Sequence, residues 1–163
     1  MSVLSWGKCR VIVRKYGTSG NFTELPTPVE ESTTLETTEG DKLEAKIEGG
    51  EYEDIKYKAA TYALSLQIRL SKGRAKPIVD KDGVVEDNYE VYVIPEDADC
   101  YAIGIPKASV SATLDYSTAD GLNETYTFSA LKASSDAAQI EVGKATVTES
   151  EGAITAVTIA DVE

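Results

Sequence analysis

"TYALSLQIRL" spans Thr61 to Leu70, and its alternation decides the fold class. Tyr62, Leu64, Leu66, Ile68 and Leu70 recur at every second position, with Ala63, Ser65, Gln67 and Arg69 between them. A period of two puts the five large apolar side chains on one face of a β-strand; a helix would scatter them around its circumference. Each such side chain contributes about 1.5–3 kcal/mol when buried. The segment is therefore expected to be a core strand.

The same period runs outward in both directions. "KCRVIVRKY" places Cys9, Val11 and Val13 on one face, and Lys8, Arg10, Ile12 and Arg14 on a mostly basic other face. "YEVYVIP", "YAIGIP", "KASVSATLDYS" and "ETYTFSALKA" read as further extended segments, with Tyr126 and Phe128 facing together. Turns are expected at Lys81-Asp82-Gly83 and around Asp120-Gly121. "ELPTPVEESTT" is rich in Pro and Thr and reads as extended and exposed. "QIEVGKATVTESEGAITAVTIADVE" reads as a hairpin turning near Glu149–Gly152. No segment holds an amphipathic helix of three turns, and "EDADCYAIGI" is the best place for a short one. The expected fold is mainly β, a β-sandwich or partly closed barrel of about eight to ten strands. Tyr62, Leu64, Leu66, Ile68, Val91, Val93 and Phe128 are its expected core. Residues 1–133 form the main β domain, and 134–163 a C-terminal hairpin extension packed on the same domain.

The chain has 163 residues, 28 Asp and Glu against 16 Lys and Arg, and a formal net charge of −12. That balance argues against nucleic-acid binding, which needs cations to neutralise phosphates. It is equally unsuited to an anionic membrane surface. No apolar run approaches the roughly 18–20 residues of a membrane span. "MSVLSWGKCRVIVRKYG" is interrupted by Lys8, Arg10 and Arg14 and does not read as a signal peptide, so the expected place of synthesis is a cytoplasm. Cys9 and Cys100 are too few for a disulfide framework and read as small core residues.

Motifs for chemistry are sparse. The chain has no histidine, which removes the commonest general base, the commonest zinc ligand and every His-dependent triad. "EVGKAT" lacks the upstream glycine of a phosphate loop and has Ala145 where Ser or Thr belongs, so it reads as a turn between strands. "DKDGVVEDNYE" has Gly83 too early, and Val84 in place of an oxygen ligand, for a calcium loop. Two carboxylates can hydrolyse a glycoside, but among 28 acids a close pair arises by chance, and the single Trp is Trp6. No catalytic residue, metal-ligand set or cofactor motif is assigned, and the chain is read as a non-enzyme.

"TTLETTEGDKLEAKIEGGEYED", Thr33 to Asp54, crowds carboxylates onto a strand-like stretch with glycines at both ends. Lys42, Glu44, Lys46 and Glu48 alternate with Leu43, Ala45 and Ile47. Three readings compete: a solvated hairpin, an acidic binding face, or an arm that orders against a partner.

Four stretches together carry a resemblance: "SWGKCRVIV", "TTLETTEGDKLEAKIEGGEYEDIKYK", "YALSLQIRLSKGRAKPI" and the long run "DGVVEDNYEVYVIPEDADCYAIGIPKASVSATLDYSTADGLNETYTFSALK". In order and pattern they resemble the major tail tube proteins of tailed bacteriophages, especially the small versions of phages and prophages of gut Bacteroides-type bacteria. The resemblance covers roughly residues 2 to 133. It implies a β-sandwich or partly closed barrel flanked by a helix. It also implies hexameric rings that stack into a tube, the sheets joining around a lumen through which phage DNA passes without specific binding. The expected partners are further copies of the chain and other phage tail proteins. The expected location is the virion tail, assembled in the host bacterial cytoplasm, with no membrane and no cofactor.

The family's long inter-ring loop matches Thr34 to Lys58, which becomes an expected assembly arm. Gly40, Gly49 and Gly50 are its expected hinges, and Leu43, Ile47, Tyr52 and Ile55 its docking side chains. Glu44 and Glu48 are candidate lumenal acids, and Lys42 and Lys46 candidate ion-pair partners across rings. The competing readings are another phage structural or Ig-like β module (a head–tail connector, a capsid decoration or an adhesion domain) and a glycosidase with two converging carboxylates.

Overall fold

A computed structural model of the chain describes residues 4–74 and 76–162. Eleven strands follow in order: β1 Arg10–Lys15, β2 Thr23–Glu24, β3 Thr34–Thr38, β4 Lys42–Lys46, β5 Tyr52–Tyr57, β6 Thr61–Arg69, β7 Tyr89–Ile94, β8 Tyr101–Ser117, β9 Gly121–Ala130, β10 Glu141–Ser150 and β11 Ala153–Ala160. More than half of the chain is strand, and no helix occurs among the described residues. The short helix sought in "EDADCYAIGI" is absent. Glu96–Cys100 forms a turn in which the Cys100 amide donates to the Asp97 carbonyl at 3.0 Å, and β8 begins at Tyr101. Ile103 and Ile105 favour extension, and the sheet takes them.

Nine strands form one antiparallel sheet, in the order β2-β1-β7-β8-β9-β6-β3, with the β10–β11 hairpin joined to β8 through β10. The 17-residue β8 makes the sheet fold over on itself. Its first half pairs with β7 and β10, its second half with β9. The two halves then face each other as a sandwich, open at the edges β2 and β3. Val11 and Val13 of β1, Leu64, Leu66 and Ile68 of β6, and Tyr126 and Phe128 of β9 meet in the main core. Of the expected core, Leu64, Leu66, Ile68, Val91 and Phe128 are buried, while Tyr62 and Val93 are half-buried at its border.

A second core lies on the other face of β1 and β7. Ile12, Tyr92 and Ile94 pack there against Phe22 and against Ala145, Ile154 and Val157 of the β10–β11 hairpin. The basic face assigned to β1 is thus not a solvent face. Ile12 is fully buried, Arg14 lies over the Phe22 ring at 4.1 Å and pairs with Glu90 at 2.8 Å, and Arg10 bridges Glu24 and Glu149. Strands buried on both faces read as unbroken apolar runs, which accounts for Val11-Ile12-Val13 and Val91-Tyr92-Val93-Ile94 in the sequence. The C-terminal hairpin is continuous with the main sheet and turns at Glu151-Gly152, both with positive φ. "EVGKAT" is the start of β10 rather than a turn. Cys9 borders the main core, whereas Cys100 belongs to the 96–100 turn and to neither core; the two do not form a disulfide.

Candidate functional site: a projecting hairpin

Strands β4 and β5 form a two-stranded sheet of their own. Every residue from Asp41 to Ala59 is exposed. The register that pairs Thr38 with Thr61 in β3–β6 also pairs Lys42 with Tyr57, four residues on in one strand and four back in the other. Between them the Lys58 amide donates to the Asp41 carbonyl at 2.8 Å. The arm is therefore the β3–β6 ladder continued beyond the body. From Gly40 to the tip its length is about nine residues at about 3.3 Å each, or about 30 Å.

These bounds correct two expectations. Thr34–Thr38 belongs to the body as edge strand β3, so the arm is 40–59 rather than Thr34–Lys58. The exposed run expected at "ELPTPVEESTT" is also held to the body: Leu25 is buried, and the Val29 amide donates to the Gln67 carbonyl at 2.8 Å.

The glycines divide by role. Gly49 and Gly50, at φ of 96° and 85°, form the tip turn, which is closed by the Ile47 amide donating to the Glu51 carbonyl at 2.9 Å. They are turn residues, since the left-handed region costs glycine nothing. Gly40 stands at the root, where a Cβ would lie 2.0 Å from the Lys58 carbonyl oxygen. Only a residue without a side chain fits between the two strands there.

Register sorts the side chains. Lys42 opposes Tyr57 and Glu44 opposes Ile55; a bulge at Ala45/Lys46 then sets Lys46 against Tyr52. The Lys42 and Lys46 ammonium groups stand 5.0 and 4.9 Å from the centre of the Tyr52 ring. One face thus carries Tyr52, Ile55 and Tyr57 among Lys42, Glu44 and Lys46; the other carries Leu43 and Ala45. The bulge matters because strict alternation would have put Tyr52 on the face opposite Ile55. Leu43, Ile47 and Tyr52 are 49, 48 and 48 % exposed, and Tyr57 is 68 % exposed. The four expected docking side chains are all uncovered, and Leu43 faces away from Tyr52 and Ile55. The two candidate lumenal acids are not together either. Glu44 pairs with Lys42 at 2.8 Å, and the Glu44 contact raises the Lys42 pKa, while Glu48 sits at the tip.

A second constellation escaped the sequence reading. Glu124 of β9 is fully buried, with Oε1 2.9 Å from Lys76 Nζ and Oε2 accepting from the Tyr126 hydroxyl at 3.0 Å. Tyr126 also approaches the Ile78 carbonyl at 3.1 Å. Lys76 contacts Asp80 as well, and Asp80 accepts from the Gly83 amide at 2.9 Å. Hydrogen bonding to Asp80 raises the Lys76 pKa, and hydrogen bonding to Lys76 lowers that of Asp80. Such a lysine stays protonated and is a poor nucleophile. The cluster acts as a strut, fastening the connection between β6 and β7 onto the sheet. Its sequence signal was present: Glu124 shares the parity of Tyr126 and Phe128, a charge on a core face.

A groove of about 720 Å³ lies beside edge strand β3 and is lined by Trp6, Leu35, Leu64, Val93, Tyr101 and Ile103 among others. No cluster of His, Cys, Asp and Glu suited to a metal ion occurs among the described residues, and no helix there is long and apolar enough to cross a membrane. No family model and no curated protein matches the chain.

Proposed function

We propose that this chain is a structural subunit that assembles with copies of itself, of the phage tail tube kind: six copies close a ring, rings stack, and DNA passes through the lumen. One observation carries the reading. The β4–β5 arm continues the body's own ladder into solvent, with Leu43, Ile47, Tyr52, Ile55 and Tyr57 uncovered on a segment that buries nothing in the monomer. Large apolar side chains on a projecting two-stranded ribbon mark a partner surface. The open edges β2 and β3 support the same reading, since a ring that joins sheets edge to edge removes the edges. A net charge of −12 per chain suits a conduit that repels phosphate.

The test is electron microscopy of the concentrated protein together with sedimentation across a concentration series. Six-fold rings and stacked tubes are expected. Monomer at every concentration, with no rings even when tail components are added, would refute the reading and favour a decoration or adhesion module.

A further inference from the structure

Two short segments of opposite sign lie at opposite ends of the molecule. The arm tip "EGGEYED" holds Glu48, Glu51, Glu53 and Asp54 and no cation. The exit of β6, "RLSKGR", holds Arg69, Lys72 and Arg74 and no acid, in a chain where acids outnumber cations 28 to 16. Arg69, Lys72 and Arg74 are exposed, and none forms an ion pair among the described residues; the same is true of Glu48, Glu51 and Glu53.

Strand β6 holds the two segments apart. The arm enters at Thr61 and the cations begin at Arg69, so the body alone separates them by about 26 Å, and the arm points further away. The tip cannot reach the cations of its own chain. Beside Arg69, which opposes Asn123, the core face of the sheet runs on past the core. The Leu70 amide donates to the Leu122 carbonyl at 3.0 Å, Leu122 opposes Tyr116, and Leu114 opposes Glu124. Leu114 and Tyr116 share the parity of the buried Val110 and Ala112, yet they are 56 and 69 % exposed.

We propose that the acidic tip of one copy docks on the Arg69, Lys72 and Arg74 end of a second copy, its Tyr52–Tyr57 face covering Leu114, Tyr116 and Leu122. The inference rests on the self-assembly reading and names where the arm lands. The contact joins different surfaces on the two copies, so it propagates from copy to copy, closing a ring or extending a filament according to its rotation. Single exposed ion pairs contribute little. Three set around an apolar patch that excludes water are screened less, and they fix polarity and register.

The test uses two full-length variants: Arg69→Glu/Lys72→Glu/Arg74→Glu and Glu48→Lys/Glu51→Lys/Glu53→Lys. All six positions are exposed, so both variants are expected to keep the wild-type circular dichroism and melting curve. Each alone carries like charges at tip and acceptor, and its self-association midpoint is expected to rise at least tenfold. An equimolar mixture restores assembly, because each variant's tip then meets the other's oppositely charged acceptor. Either variant assembling like wild type, or a mixture that stays apart, overturns the docking while wild-type assembly leaves the tube reading standing. A wild-type protein that never associates overturns both.

Discussion

Residues 41–58 can be replaced by Asn-Gly, leaving Gly40 and Ala59 to flank a two-residue turn. The removed residues are all exposed, so no core contact is lost. Their apolar side chains are covered only by one another within the arm, and ordering the arm offsets that gain. The loop closed by the Thr38–Thr61 pair shrinks from about 22 residues to about six, which favours the folded state by about 1 kcal/mol. The expected net change is within about 1.5 kcal/mol of zero, with little change in denaturant dependence because the area exposed on unfolding scarcely alters. Urea unfolding followed by far-UV circular dichroism measures it. A loss above about 3 kcal/mol would mean that the arm packs on the body, contrary to its exposure. The same variant is expected to form no rings or tubes; normal tubes would remove the arm from the assembly mechanism.

Other outcomes follow from the two cores and the buried cluster. Ile12→Ala should cost about 2–5 kcal/mol in urea unfolding, since Ile12 is buried beneath the C-terminal hairpin. A loss below about 1 kcal/mol would contradict that burial. Glu124→Gln should cost about 1–3 kcal/mol, because it takes the fully buried carboxylate from the Lys76 ion pair. Asp80 titrates below its ordinary value of 3.8, so its contribution is complete above that pH and is lost as the pH falls through the lowered value; Lys76→Met should flatten this acid limb of the stability curve. Burial pushes the Tyr92 hydroxyl up to about 12, so an ultraviolet titration of the folded protein should show a tyrosine ionising there and not near 10. The unfolded chain releases that proton first, so stability falls as the pH rises above about 10.

The strands with one wet face were legible because alternation records them directly: β6 and β9 were read with the faces they adopt, whereas the 17-residue β8 was read as two extended segments with no face assigned. β1 and β7 were half legible. Their apolar runs were visible, but a period of two cannot say that a second sheet covers the other face, and Ile12 was left with the arginines. Thr34–Thr38 was read into the arm through the family resemblance, and Leu35 is its single apolar residue; its strand state comes from pairing with β6, a contact almost thirty residues away. The hairpin itself was among the sequence readings, but its faces were not, since the bulge that turns Tyr52 toward Ile55 leaves no mark in composition. The strut around Glu124 needed four residues from two distant segments, Lys76 and Asp80 with Glu124 and Tyr126, and only the parity of Glu124 hinted at it.

The double covering of β1 has a consequence in time. A ribosome delivers about 5–20 residues per second. β1 emerges early, but its ladder partner β7 follows about 75 residues later, roughly 4–15 s at that rate, and the hairpin that covers Ile12 and Phe22 comes last of all. Through that interval both strands of the β3–β6 ribbon and its arm are already made, although a two-stranded ribbon alone is only marginally stable. The second core cannot close until β11 is free. The growing chain therefore carries its assembly arm before it has a finished body, and its second core stays open until β11 is made.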